Sequence, residues 1–156
     1  MANVWLTRAL CDVLDWTAKT FRRELRQARH IKTGRRGEDL AYFHLRQMGY
    51  VMVARNWRTI RHRGELDLIG WDEQVLCFIE VKTRTSRDVK PAEAAVDREK
   101  RFQIARMARE YLRRLRPGIP VRFDVVSVYL EAEQQAEIQV FKNAYSWRSM
   151  KRARFR

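Results

Sequence analysis

The chain has 156 residues, a length that fits one domain with a substantial core. Apolar residues make up 46% and charged residues 33%, which excludes a disordered chain, and no apolar run is long enough to span a membrane. Lys and Arg outnumber Asp and Glu by 33 to 19, giving a formal charge of +14; that excess points to a polyanionic partner and leaves the chemistry open.

In chain order, residues 4–29 read as an amphipathic helix with an apolar stripe through Trp5, Leu6, Ala9, Leu10, Val13, Leu14, Ala18, Phe21 and Leu25. Arg22, Arg23, Arg26 and Arg29 load its far end, so it suits packing on the domain or on a second subunit, with a membrane-surface role as the alternative. Arg8, Asp12 and Asp15 interrupt any signal-peptide core, and only two cysteines occur, Cys11 and Cys77; a reducing cytoplasm is expected. The basic extension is drawn at residues 1–31, with His30 to Thr33 as the link to the core.

A second amphipathic helix starts at Gly34-Arg35-Arg36-Gly37-Glu38 and runs to about Met48, with Gly49 as its stop. Ala41, Tyr42, Leu45 and Met48 form the inward stripe, and Glu38 sits on it one turn earlier. A core-facing glutamate is expensive unless it is paired, hydrogen-bonded or bound to metal. The plainer reading is a first-turn acid favoured by the helix dipole. Tyr50 to Arg58 then supplies the first strand of a meander.

Residues 64–71 and 75–82 read as the next two strands, joined through a turn at Glu73-Gln74. With that turn, residues whose numbers sum to 147 face each other, so Asp67 lies opposite Glu80 and Glu65 opposite Lys82. Side chains alternate with period two, so these four share one face. Leu66, Leu68, Gly70, Cys77, Ile79 and Val81 form the other, buried face. Directly opposed carboxylates repel unless a cation lies between them. Mg²⁺ or Mn²⁺ suits such a gap, because a hard ion accepts one or two carboxylates plus water and phosphate oxygens. Lys82 beside it would neutralise a phosphate or help deprotonate an attacking water. A solvated strand face with cross-strand ion pairs is the competing explanation of the same alternation.

Thr83 to Lys90 reads as a polar loop over this face. A helix follows from Pro91 to about Leu115, ended by Pro117-Gly118, with Ile104, Ala105, Ala108, Tyr111, Leu112 and Leu115 packed and Lys100 one turn earlier on the same stripe. Its arginines form a solvated face that also suits a phosphate backbone. Val121 to Leu130 is a strand, and the intervening helix predicts a parallel crossover from residues 75–82. Asp124 on it suits pairing with an arginine or support of the site, and the structural reading is preferred. Ile138 to Lys142 is a short last strand, and residues 143–156 form a basic tail. His30, His44 and His62 show no zinc-ligand spacing. The order gives an α/β domain over residues 32–142 with a mixed central β-sheet flanked by helices.

Taken together, Gly34-x-x-Gly37-Glu38-x-x-Ala41, Gly49-Tyr50, Arg55-Asn56, Gly64-Glu65-Leu66-Asp67-Leu68-Ile69 and Phe78-Ile79-Glu80-Val81-Lys82-Thr83-Arg84 resemble the YraN family. That family is similar to Holliday-junction resolvases and belongs to the PD-(D/E)XK nuclease superfamily; here Leu66, rather than Pro, precedes Asp67. The resemblance implies a restriction-endonuclease-like core, with Glu38, Asp67 and Glu80 as metal ligands and Lys82 as the catalytic lysine. The expected activity is Mg²⁺- or Mn²⁺-dependent cleavage of DNA, including branched or structured DNA, with a homodimer suiting symmetric cutting. Glu65 would support Lys82, and Arg35, Arg36, Arg84 and Lys100 are the expected phosphate contacts. A noncatalytic nucleic-acid-binding module that keeps the fold is the alternative.

Overall fold

A computed structural model describes residues 24, 25, 27, 28, 30–85, 98–130 and 135–147. Most of the expected N-terminal helix, the loop after residue 85, the start of the helix expected from Pro91 and residues 148–156 of the expected tail lie outside these described residues, while residues 143–145, expected in that tail, continue the last strand. The chain divides into two compact units, Met1–Arg35 and Arg36–Arg156. The described residues of the first unit are helical, including His30 to Thr33, where a link was expected. No Gly or Pro occurs in that stretch to break a helix.

The second unit contains α1 (residues 36–47), β1 (Val51–Thr59), β2 (His62–Asp72), β3 (Val75–Arg84), α2 (Arg98–Leu112), β4 (Val121–Tyr129) and β5 (Glu137–Tyr145). The strands form one five-stranded sheet in the order β1-β2-β3-β4-β5. β3 and β4 run parallel across the helical crossover, and every other neighbouring pair is antiparallel. This mixed α/β architecture is consistent with a restriction-endonuclease-like core.

Local sequence explains the element ends. Gly49 takes φ +94°, while Tyr50 N–H donates to Leu45 O and Gly49 N–H to Arg46 O, both at 3.0 Å. This is a left-handed helix stop, and buried Tyr50 and Leu45 join the same core cluster. Met48, expected on the inward stripe, is instead exposed, because the chain unwinds there before the stripe is completed. The β2–β3 hairpin keeps the expected register, from Leu68 opposite Ile79 to Asp72 opposite Val75. Its turn places Glu73 at φ +54°.

Each sheet face carries its own core. Ala41 and Leu45 of α1 pack with Leu68, Cys77, Ile79, Val81, Val126 and Val128. Ile104, Ala105, Met107 and Ala108 of α2 pack with Ile69, Leu76, Phe78, Phe123 and Val125. Leu66 joins this second group, not the face it was expected to share with Leu68. The alternation breaks around Asp67; on β1, left-handed Asn56 (φ +48°) lies between Arg55 and Trp57, the partners of Leu68 and Leu66. At Gly37 a β-carbon would lie 1.9 Å from Thr83 Oγ1. Only glycine therefore lets the start of α1 approach the end of β3 this closely, and Glu38 is the next residue.

Candidate active site

The alternation of β3 sends Ile79 and Val81 into the α1-side core and Phe78 into the α2-side core. Glu80 follows Phe78 toward α2 and is 3% exposed, with Lys82 beyond it. On β2, Asp67 is 8% exposed. The paired register ends at Leu68 and Ile79, so Asp67 and Glu80 do not form another regular rung. Instead Asp67 Oδ2 accepts the Val81 N–H at 2.8 Å. A side chain thus takes a backbone donor that a continuing ladder would use, and the two strands part where the carboxylates sit.

The charges in this opening are tightly arranged. Lys82 Nζ donates to Glu80 Oε1 at 2.8 Å. Lys100 Nζ, reaching in from α2, forms an ion pair with the buried Glu80 Oε2 at 3.2 Å. Burial, and after it the Glu80 charge, pushes the Asp67 carboxyl up to about 7, against the pull of the Val81 N–H. Burial works against the Lys100 charge, yet Glu80 and Asp67 outweigh it and hold the ammonium above its usual range. Half-buried Glu38 is near enough to add to the rise at Asp67.

This donor set fits a hard divalent cation. Two buried carboxylates crowd one another, one oxygen lacks a well-formed hydrogen bond, and Mg²⁺ needs no more than one or two carboxylates when water and substrate complete its shell. Among the described residues no three His, Cys, Asp or Glu side chains form a ready cage, and Glu38 stands near enough to act on the Asp67 charge.

The other expected residues are distributed less simply. Glu65 does not support Lys82; it pairs with Arg58 at 2.9 Å to Nε and 2.5 Å to Nη2. Lys82 is drawn to Glu80, and the ladder that would set Glu65 across from it has already ended. Arg35 is exposed in the first unit and Arg36 is exposed in the second. Arg84 is only 8% exposed, with Nε and Nη1 lacking partners, and so is not an open surface cation. Tyr145 of β5 was not anticipated: its phenol is buried, its hydroxyl lacks a hydrogen bond, and burial together with Glu80 and Asp67 raises its pKa. No local motif marks it, because β5 joins the sheet only through long-range pairing with β4.

A second acid–base cluster lies toward the β2–β3 turn, on the α1 side of the sheet. Arg122 Nε donates to fully buried Asp124 at 2.8 Å, and its Nη2 reaches Asp72 at 2.6 Å and the Tyr50 hydroxyl at 2.9 Å. Lys142 adds a contact to Asp72 at 2.8 Å. Left-handed Asn143 directs its N–H to Asp124 at 2.8 Å. These bonds from Lys142 and Arg122 hold the Asp72 carboxyl below its usual range, and burial, then Asp124, pushes the nearby Cys77 thiol up to about 12. The structural reading of Asp124 holds, with Arg122 as its arginine.

A family model described as "Uncharacterised protein family UPF0102" matches residues 37–128, which span α1 through most of β4. A UPF0102 protein of Koribacter versatilis (strain Ellin345) is 58% identical over 116 residues, covering 74% of this chain and 80% of the relative. One from Solibacter usitatus (strain Ellin6076) is 50% identical over 115 residues, covering 72% and 87%. One from Chlorobaculum tepidum is 43% identical over 110 residues, covering 70% and 84%. The matches carry the same name throughout and attach no activity to it.

Proposed function

The chain belongs to the UPF0102 family, also called the YraN family, and on that premise we propose that it is a metal-dependent endonuclease hydrolysing DNA phosphodiester bonds, branched or otherwise structured DNA included. The observation that carries the reading is the pair of buried carboxylates, Asp67 and Glu80, at the parting of β2 and β3 with Lys82 on Glu80. Asp67 and Glu80 would hold Mg²⁺ or Mn²⁺, and Glu38 would complete the shell or position water. The bound cation would supply Lewis-acid polarisation of the phosphate and a lower pKa for water.

The chain's own groups have separable tasks. The Val81 N–H fixes the direction of the Asp67 carboxylate. Lys82, 2.8 Å from Glu80, keeps a positive charge at the site to neutralise a phosphate oxygen or assist deprotonation of the attacking water. Lys100 adds a second cation from α2, and Arg36 would meet a phosphate of the bound strand. Water attacks phosphorus, and the P–O bond to the leaving nucleotide breaks. We place this activity in the cytoplasm, in keeping with the free thiol of Cys77; no helix among the described residues is long and apolar enough to cross a membrane. Two copies would be needed to cut both strands of a symmetric junction together.

The test is incubation of the protein and its Asp67→Asn variant with linear, flapped and four-way-junction DNA in Mg²⁺, Mn²⁺ or EDTA. Metal-dependent cutting that falls on the order of 10³-fold in the variant, with DNA binding kept within about threefold, is expected. Equal cutting by the variant, in a preparation free of contaminating nuclease, removes the site assignment. The second reading is a noncatalytic nucleic-acid-binding module. It is favoured by the absence of a three-donor cage among the described residues and by the two lysines already facing Glu80. Salt-sensitive binding without cleavage in any metal would select it.

A further inference from the structure

The sheet carries an arm that the proposed chemistry does not use. β1 and β2 are joined at Ile60-Arg61, and Thr59 pairs with His62 across that turn. Between this pair and the pair Trp57–Leu66 the register shifts: β1 contributes Arg58 alone where β2 contributes Arg63, Gly64 and Glu65. The bulge on β2 contains Gly64 at φ +111°, and the pairing closes again at Thr59 and His62, so the tip is a paired end of the sheet that carries a bulge.

At that tip Ile60 is fully exposed, in contrast to the isoleucines of β2, β3 and α2, which are buried. Cations surround it. Arg58, Arg61 and Arg63 are exposed, and Arg106 of α2 lies 3.1 Å from His62. A groove of about 570 Å³ runs along the arm, lined by Arg58, Ile60, His62, Arg63, Glu65 and Lys100 among others. Its acid, Glu65, is already matched by Arg58. Its far wall is Lys100, whose ammonium is the one 3.2 Å from Glu80. The groove therefore runs from an exposed apolar tip along a cationic lining to Lys100, the lysine that faces Glu80.

We propose that this hairpin is a wedge for duplex DNA: Ile60 inserts between base pairs while Arg63 holds a flanking phosphate, joined by Arg58 and Arg61 as they turn from Glu65 and Glu110, leading the opened strand along the groove toward Lys100. An apolar side chain pushed into a base step and cations on the adjoining backbone are the two parts such a device needs. A protein pocket for Ile60 would not call for cations on both sides of it, and a groove leading inward does not fit the flat surface of a membrane. The inference rests on the nuclease reading, since it takes the polymer in the groove to be the one cut at Glu80.

The experiment uses the full chain in an Asp67→Asn background and DNA carrying 2-aminopurine, either flanking the branch of a four-way junction or inside an unbroken duplex. Saturating protein is expected to raise the fluorescence as a base unstacks. Ile60→Ser should cut that rise at least threefold and weaken binding about tenfold, and Ile60→Leu should restore both. Arg63→Ala should leave the saturated rise intact while weakening binding and lowering the salt slope by about one phosphate contact. A rise at saturation that Ile60→Ser leaves unchanged overturns the wedge, as does loss in Ile60→Ser of binding to phosphatidylglycerol vesicles with DNA behaviour unaltered. Wild-type cleavage of the same DNA in Mg²⁺ reports separately on the nuclease reading. Unstacking without cleavage keeps the wedge and removes the enzyme, and failure to bind any DNA removes both.

Discussion

Two clusters of acids and bases sit on one sheet and behave oppositely. Near the β2–β3 turn, Arg122 ties Asp72, Asp124 and Tyr50 together, and none of that cluster's buried side-chain atoms is left without a partner. Where β2 and β3 part, Asp67 and Glu80 crowd each other, Glu80 Oε2 is imperfectly satisfied and the Asp67 carboxyl is pushed up to about 7. Residue types alone do not separate the two, since both combine a pair of acids with two basic side chains. Satisfaction does. A buried network whose members are all bonded fixes strands in place, whereas two crowded carboxylates, one with an oxygen short of a hydrogen bond, are a place for a cation to enter.

The largest expected effect breaks the satisfied cluster. Arg122→Ala strands Asp124 without its guanidinium and should lower stability by about 3–5 kcal/mol in urea denaturation. A loss below about 1 kcal/mol would mean the cluster does not hold the sheet.

Next is the pH response of the unsatisfied one. The folded pKa of Asp67 lies above its unfolded value near 3.8, so the folded state holds that proton more tightly. The associated stability is fully present below the unfolded value and is lost as pH rises through about 7. Relative to Asp67→Asn, the wild type without metal should therefore lose on the order of 3 kcal/mol between pH 4 and pH 8, and Mg²⁺ should restore part of it at the upper end. Parallel stability curves for the two proteins would contradict the shift.

A smaller effect tests how α1 is seated. Gly37→Ala forces a β-carbon against Thr83, and a cost of about 1–3 kcal/mol in thermal unfolding is expected, with weaker cleavage because Glu38 moves. The smallest concerns Glu65. Its pair with Arg58 is on the surface, so Glu65→Gln should change stability by less than about 1 kcal/mol and leave cleavage nearly unchanged. A collapse of activity in that variant would restore to Glu65 the role of supporting Lys82.

The unsatisfied cluster was the more legible of the two in the sequence. Alternation over residues 64–82 and a two-residue turn were enough to set Leu68 opposite Ile79 and to separate Glu80 from the face of Ile79 and Val81. The helix between β3 and β4 announced their parallel pairing, and Lys100 reached Glu80 from the stripe position expected of it. The misses have physical causes. The turn of Leu66 to the other core and the early end of the ladder coincide with the Asp67 side chain taking the Val81 N–H, a tertiary bond that strand periodicity does not encode. Arg122 contacts Asp72 and Tyr50, which lie 50 and 72 positions earlier, and Tyr145 reaches the site only through the pairing of β5. Separations of that size leave no local spacing to read.

The most direct test of the contrast is a calorimetric titration of Mn²⁺ into the metal-free wild type and into Glu80→Gln and Asp124→Asn variants, each first shown to be folded. Binding that Glu80→Gln weakens at least tenfold and Asp124→Asn leaves within about twofold is the predicted result. Equal binding by the wild type and Glu80→Gln, or no binding by the wild type, would contradict the account of Asp67 and Glu80 as a cation site.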